Sequence, residues 1–274
     1  MSTKYVFLDI DGTLVGADGK VPDSAVEAIR RARENGHKIF ICSGRCRCEM
    51  HENILCVPLD GIVGSAGAYV EIDGRVIFHR SMTEKMNARL LDYFLTRGMA
   101  ILLETNGELY GNDVAIRYMQ ENADYCEANG LPYDKPLYDL VQPLADVQEP
   151  AKLAVNKLIY ITKKYDPEEV RRDLGEEFTV VDSAIDMPGN SGEVSEKGMH
   201  KGVGIETAIR HYGADMADTI GIGDGENDMG MLRACAVGIA MGNANPILKE
   251  IADYETSAVG EDGIKNAFLH YGLI

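Results

Sequence analysis

Apolar residues in this chain fall either into unbroken runs of four or five or into stripes at helical spacing. Tyr5-Val6-Phe7-Leu8 is such a run and ends at Asp9, the pattern of a parallel strand covered on both faces. Pro22 and Asp23 then open a stretch over 24–35 in which Ala25, Ile29 and Ala32 share one face, with Gly36 as the stop signal. Lys38-Ile39-Phe40-Ile41-Cys42 is a second run, closed by Ser43-Gly44-Arg45. Strand, helix and strand in so short a span predict a βαβ unit with a right-handed crossover in a doubly wound parallel sheet. Both strand ends then point to the same edge.

A third run at 61–64 leads into Tyr69-Val70-Glu71-Ile72 and Arg75-Val76-Ile77-Phe78, and the Asp73-Gly74 pair between them signals a hairpin. From Thr83 the texture changes. A helix with Met86, Leu90, Leu91 and Phe94 on one face, core-forming by its spacing, is followed by a hairpin about Asn106-Gly107 and a helix over 113–129. A Pro-containing, poorly patterned stretch covers 131–150, then a strand over 157–162, a helix over 167–174 and a strand over 178–181. After Asn190 the doubly wound rhythm returns: a helix over 201–211, a strand over 219–223, a helix from Asp228, a strand over 237–240, a helix from Pro246, and a last strand and helix. The expected architecture is α/β, a doubly wound parallel-sheet core built from 1–82 and 191–274 with an α/β module inserted over 83–190.

The length of 274 residues allows one large domain or two modest ones. With 45% hydrophobic and 26% charged residues, the composition excludes disorder as the main state. The 27 Lys+Arg against 44 Asp+Glu give a formal charge of −17, which repels phosphodiester backbones and anionic membrane surfaces. No apolar run approaches the ~20 residues needed to cross a bilayer, and the N-terminus reaches acidic residues too soon for a signal peptide. The expectation is a cytoplasmic protein with neither nucleic acid nor membrane as a partner; nothing in the pattern fixes an oligomeric state. Cys42, Cys46, Cys48 and Cys56 crowd together as C-x3-C-x-C-x7-C, a spacing that fits no paired zinc knuckle, so reduced thiols are expected.

Candidate chemistry gathers at strand ends. Asp9-Ile10-Asp11-Gly12-Thr13 sits where the first run stops, the edge at which open α/β sheets bind ligands. Gly223-Asp224-Gly225-Glu226-Asn227-Asp228 follows the run Thr219-Ile220-Gly221-Ile222 and, in the same sheet, would face Asp9. Carboxylates collected at one edge repel one another, so the arrangement requires a cation, and hard oxygen donors favour Mg²⁺. Ser43-Gly44 offers a hydroxyl and a backbone N–H at a helix start for an anion. Lys201, opening a helix, supplies positive charge and ranks above Lys197. Taken singly, each has a plainer alternative: an acidic turn, or a solvated surface lysine. His200 is expected at the surface.

In this order, Asp9-x-Asp11-Gly12-Thr13, Ser43-Gly44-Arg45, Lys201-Gly202 and Gly223-Asp224-Gly225-x-Asn227-Asp228 followed by Met231-Leu232 resemble the four motifs of the haloacid dehalogenase (HAD) superfamily. Gly238-x-Ala240-Met241-Gly242-Asn243-Ala244 resembles its Cof-type sugar-phosphatase branch. The resemblance implies a HAD-like, Rossmannoid catalytic core and an inserted α/β cap that sets specificity. It implies a Mg²⁺-dependent phosphatase of small phosphorylated metabolites, sugar phosphates foremost. Asp9 would be the nucleophile that forms an aspartyl-phosphate, and Asp11 the general acid and then the base. Asp9, the Asp11 backbone carbonyl and Asp224 would hold Mg²⁺, with Asp228 orienting metal-bound water from outside the ligand set. The Ile10 backbone N–H, Ser43, Gly44, Lys201 and Asn227 would hold the phosphoryl oxygens. Where family members often read Asn-Gly-Ala, this chain has Ala66-Gly67-Ala68. A phosphomutase using the same aspartyl-phosphate, and a non-catalytic sensor of phosphate ligands, remain as alternatives.

Overall fold

The computed structural model describes residues 2–131, 133, 135–182 and 190–274. In chain order, β1 (Tyr5–Leu8), α1 (Asp23–Glu34), β2 (Lys38–Cys42), α2 (Glu52–Leu55), β3 (Gly61–Gly64), β4 (Tyr69–Ile72) and β5 (Arg75–His79) come first. Next are α3 (Glu84–Thr96), β6 (Ala100–Glu104), β7 (Leu109–Gly111), α4 (Asp113–Asn129), α5 (Lys135–Leu140), β8 (Val141–Pro143), β9 (Lys157–Thr162), α6 (Pro167–Leu174), β10 (Phe178–Asp182) and β11 (Asn190–Glu196). Last are α7 (Lys201–Tyr212), β12 (Thr219–Gly223), α8 (Met229–Ala234), β13 (Val237–Ala240), α9 (Pro246–Ile251), β14 (Tyr254–Glu255) and α10 (Gly263–His270). These elements form two compact units, one of Met1–Arg45, Met50–His79 and Met199–Ile274, the other of Cys46–Glu49 and Arg80–Gly198.

The first unit is built on one sheet in the order β14-β13-β12-β1-β2-β3-β4-β5. Pairing is parallel from β14 to β3, and β4 and β5 close the edge as an antiparallel hairpin. Val6, Phe7 and Leu8 are fully buried, as an unbroken apolar run demands of a strand covered on both faces. Phe7 stacks on Phe40 at 4.9 Å between centroids, and each such ring contributes roughly 1.5–3 kcal/mol by leaving water. Helix α1 lays Ala25, Ala28, Ile29 and Ala32 against the sheet, the face its periodicity predicts. Buried Asp60, just before β3, ties strand and helix together. Its carboxylate accepts the Ile39 N–H at 3.0 Å and pairs with Arg33 and Lys38 at 2.9 Å each.

From β1 the chain steps to β2 and β3 on one side, and from β12 to β13 and β14 on the other. Strand order therefore reverses between β1 and β12, and that reversal opens a crevice beyond their carboxyl ends. The ladder extends to the rim, where the Asp9 N–H donates to the Ile222 carbonyl at 3.0 Å.

The second unit has a six-stranded sheet in the order β10-β11-β9-β6-β7-β8, antiparallel except for the β7–β8 pair. Met86, Leu90 and Phe94 lie in its apolar core with Leu158, Tyr160 and Val194, as their spacing predicts. The poorly patterned stretch contains α5 and β8. Strand β11 is a correction to the expected organisation, because it pairs with both β9 and β10 and carries this sheet to Glu196, past the boundary expected at 190. Its inward positions are Gly192 and Val194, which present no apolar run to read. Gly192 is there for space, since a Cβ would stand 2.6 Å from the Tyr160 ring. The helix expected from Asp228 is a 3-10 turn over Glu226–Asp228 followed by α8. Among the described residues no helix is long and apolar enough to cross a membrane.

Candidate active site

Past β1 the backbone turns back on itself. The Leu14 N–H donates to the Asp9 carbonyl, the Val15 N–H to Ile10, and the Gly12 N–H to Val15, at 2.8–3.2 Å. Gly12 holds φ +78°, and a Cβ there would lie 2.1 Å from Asp224 Oδ2. Glycine is thus required twice over, by the backbone angle and by the carboxylate pressed against it. Thr13 donates its hydroxyl to Asp224 Oδ1 at 3.1 Å. Asn243, in the loop after β13, donates its amide to the Gly12 carbonyl at 2.8 Å and accepts the Val259 N–H at 3.0 Å.

Helix α7 delivers Lys201 to this rim because glycines let it approach the sheet. A Cβ on Gly204 would lie 2.3 Å from Val63, and one on Gly67 2.1 Å from the His200 carbonyl. Lys201 is 2% exposed, and its ammonium donates to Asp9 Oδ1 at 2.6 Å and to Asp228 Oδ1. Asp228 is fully buried, and its second oxygen accepts the N–H groups of Asp224 and Gly225 at 3.0 Å each. Both Asp228 oxygens are therefore engaged within the chain.

Carboxylate oxygens of Asp9, Asp224 and Asp228 all lie within 4.8 Å of one another. Burial, then the Asp228 charge, pushes the Asp9 carboxyl up to about 8, against the opposing pull of Lys201. Burial and Asp228 likewise push Asp224 up to about 6, against the Thr13 hydrogen bond. Burial disfavours the Lys201 ammonium, but Asp228 and Asp9 outweigh it and hold its pKa above the ordinary lysine value. Three crowded carboxylates facing one ammonium leave an excess of negative charge in a desolvated place. Such a set of hard oxygen donors fits a divalent cation of the Mg²⁺ kind.

Asp11 lies on the exposed side of the loop, where Arg45 forks onto its carboxylate through Nε and Nη2 at 2.9 and 2.8 Å. Ser43 is buried, and its hydroxyl accepts the Arg45 N–H at 3.2 Å. The 43–45 loop is pinned from β3's end by the Ser65 N–H on the Arg45 carbonyl at 2.8 Å and the Ala66 N–H on the Ser43 carbonyl at 3.1 Å. The helix start expected there is corrected to a three-residue 3-10 turn, Arg47–Glu49, so no long helix dipole backs Ser43 and Gly44. Ile10 is buried and Asn227 exposed, in the loops after β1 and β12. These loops and the one after β2 share the carboxyl edge of the parallel strands, so Ile10, Ser43, Gly44 and Asn227 sit at the crevice rim. Lys197 is an exposed residue of the second unit paired with Glu176 at 2.8 Å. His200 is exposed, as expected. Sequence reasoning missed the Arg45–Asp11 fork and the anchoring by Asn243, although Asn243 stands inside a motif it quoted.

A model of the haloacid dehalogenase-like hydrolases matches residues 6–268. The Bacillus subtilis protein YkrA, which carries a phosphatase name, is 28% identical over 280 residues, covering 100% of each chain. Among solved structures, a phosphatase of the haloalkanoate superfamily from Bacteroides thetaiotaomicron is 26% identical with a TM-score of 0.82, covering 99% of this chain and 96% of that one. Another, named a subclass IIB sugar phosphatase, is 27% identical with a TM-score of 0.81, covering 99% and 100%. The chain belongs to the haloacid dehalogenase-like hydrolases.

Proposed function

We propose that this chain is a Mg²⁺-dependent phosphatase of small phosphorylated metabolites, sugar phosphates in particular, working through an aspartyl-phosphate on Asp9. The observation that carries this reading is the buried Lys201 ammonium bridging Asp9 and Asp228 beside Asp224, at the crevice between β1 and β12. The sugar-phosphate part rests on the likeness to the subclass IIB sugar phosphatase. The second unit is read as the cap that selects the substrate.

Asp9, Asp224 and the Asp11 backbone carbonyl would hold Mg²⁺, while Asp228, with both oxygens already engaged, positions Lys201 and the 224–225 backbone. When bound, the ion supplies positive charge that offsets the repulsion between the Asp9 carboxylate and the phosphoryl oxygens. Lys201 would add its charge against the phosphoryl group, and the Ile10 N–H, Ser43, Gly44 and Asn227 would orient it. An Asp9 oxygen attacks phosphorus, the bond to the leaving oxygen breaks, and Asp11 gives that oxygen a proton. Asp11 then takes a proton from water, whose oxygen attacks the same phosphorus and releases inorganic phosphate from Asp9. Before substrate arrives Arg45 holds Asp11 as a carboxylate beside the crevice; a phosphoryl anion that draws the guanidinium away would let Asp11 take up from solvent the proton it then gives to the leaving oxygen.

Purified protein assayed on p-nitrophenyl phosphate and a panel of hexose and pentose phosphates should release phosphate with Mg²⁺ and stop with EDTA. Asp9→Asn should lose essentially all turnover. Phosphate release by that variant at an appreciable fraction of the parent rate, with contaminating phosphatase excluded, rules out Asp9 as nucleophile. Isomerised sugar phosphate in place of free phosphate assigns a mutase.

A further inference from the structure

Apart from the acidic rim, the second unit holds two thiols in contact. Cys46 and Cys48 flank Arg47 at one 3-10 turn, with their sulfurs 3.3 Å apart. Cys46 is buried and Cys48 half-buried, so Cys48 is the more accessible of the two. Cys48 donates its S–H to the Thr105 carbonyl at 3.5 Å. The hydrogen bond between the two sulfurs, in which either can be the donor, is the leading influence that lowers the Cys48 thiol below its ordinary pKa, against its burial and the Glu49 charge. A half-buried thiol touching a second, buried thiol is the arrangement of a nucleophile and its resolving partner.

We propose that Cys46 and Cys48 are a thiol-oxidation site and close a reversible intramolecular disulfide. The Cys48 thiolate attacks one sulfur of a low-molecular-weight disulfide such as oxidised glutathione, whose S–S bond breaks and releases one glutathione thiolate. Cys46 then attacks the Cys48 sulfur, its proton passing to the departing glutathione sulfur. The bond between the two cysteines forms as the second glutathione leaves. The two protein thiols are oxidised, the small disulfide is reduced to two thiols, and the atoms balance. A bridge closed over a three-residue turn is strained, and strained bridges are the readily reduced ones, which suits a reversible mark rather than a permanent staple. Closing it would also rework the turn's ties to the end of β6, where the Arg47 N–H donates to Asn106 Oδ1 at 3.3 Å.

A metal is the competing occupant, since Cys46, Glu49 and Glu104 offer ligand atoms within 4.8 Å of one another. The Lys157 ammonium argues against it. It lies 3.3 Å from Glu104 Oε2 and 3.0 Å from Glu193, already neutralising that cluster and repelling a second cation.

The test uses the full chain carrying Cys56→Ser, which removes the exposed thiol. The protein is treated with oxidised glutathione, quenched in acid, denatured, alkylated and weighed intact. Two fewer cysteines should be alkylated than in the untreated protein, with full recovery after dithiothreitol. Adding Cys46→Ser should abolish that loss and leave Cys48 carrying one glutathione; adding Cys48→Ser should abolish it without a stable adduct at Cys46. Full alkylation after oxidant, or the same two-thiol loss in either serine variant, overturns the proposal. So does protection of the thiols that a chelator alone relieves, which would assign the cluster to a metal.

Discussion

Gly12 shows how tightly single positions are constrained at the rim. Its backbone angle and the Asp224 oxygen 2.1 Å from a notional Cβ both oppose any side chain. Gly12→Ala should therefore displace Asp224 or the Asp9 loop by a good fraction of an ångström. Misplacement of that size costs about 10²-fold in rate, so kcat/KM on p-nitrophenyl phosphate should fall by about that factor while the circular dichroism spectrum is unchanged. Parent-level turnover would contradict the packing. Ala66 presents the opposite case, an L-residue at φ 52° and ψ 35°. Left-handed backbone costs a residue with a Cβ about 1–2 kcal/mol, partly offset because alanine also restricts the unfolded chain. Ala66→Gly should then stabilise the protein by roughly 1 kcal/mol, and Ala66→Asn by less, read as higher urea midpoints with an unchanged slope. A lower midpoint for both would show that the loop does not hold that angle in solution.

The elements differ in how plainly the sequence announces them. Strands β1, β2 and β12 are legible because burial on both faces forces unbroken apolar runs, and the rim residues are legible because they follow those runs directly. Strand β11 is not, since its inward positions need only a glycine against Tyr160 and one valine. The Arg45–Asp11 fork was hidden for a related reason: it joins residues from loops after different strands, and no spacing along the chain reports such a contact. Asp60 is another long-range tie of this kind, and its pH behaviour is predictable. Burial raises its carboxyl, but Arg33, the Ile39 N–H and Lys38 outweigh burial and hold it below the ordinary value. An acid whose folded pKa is depressed contributes stability above its unfolded pKa, near 3.9, and loses it as pH falls through the lower folded value. Asp60→Asn should cost roughly 1.5–3 kcal/mol at neutral pH, the range for hydrogen bonds to a charged group. In urea titrations the gap between parent and variant should be equal at pH 7 and pH 5 and narrow at pH 3. A gap already closed at pH 5 would mean that Asp60 is not held as a carboxylate.

For the molecule as a whole, the charge of −17 is least tolerable where carboxylates are both crowded and desolvated, around Asp9, Asp224 and Asp228. Folding therefore works against that repulsion unless a cation joins the folded state, and anything that binds only the folded state stabilises it by mass action. Mg²⁺ at a hundred times its Kd should add about 2.7 kcal/mol, which for a unit of this size is a rise of roughly 5–10 °C in melting temperature. Ionic strength matched with KCl separates this from general screening, because a diffuse atmosphere does not distinguish the cations at equal ionic strength. Asp224→Asn should reverse the pattern. Without metal the variant should be the more stable protein, by on the order of 1 kcal/mol, because the Asp224 charge that burial and Asp228 disfavour is gone while the amide oxygen can still accept from Thr13. With Mg²⁺ it should gain little and fall below the parent. The crossing of the two orders is the diagnostic, since general weakening of the fold cannot raise stability in one condition and lower it in the other. Equal Mg²⁺-dependent shifts in parent and variant would place the ion elsewhere and remove the electrostatic basis for Asp9 as nucleophile.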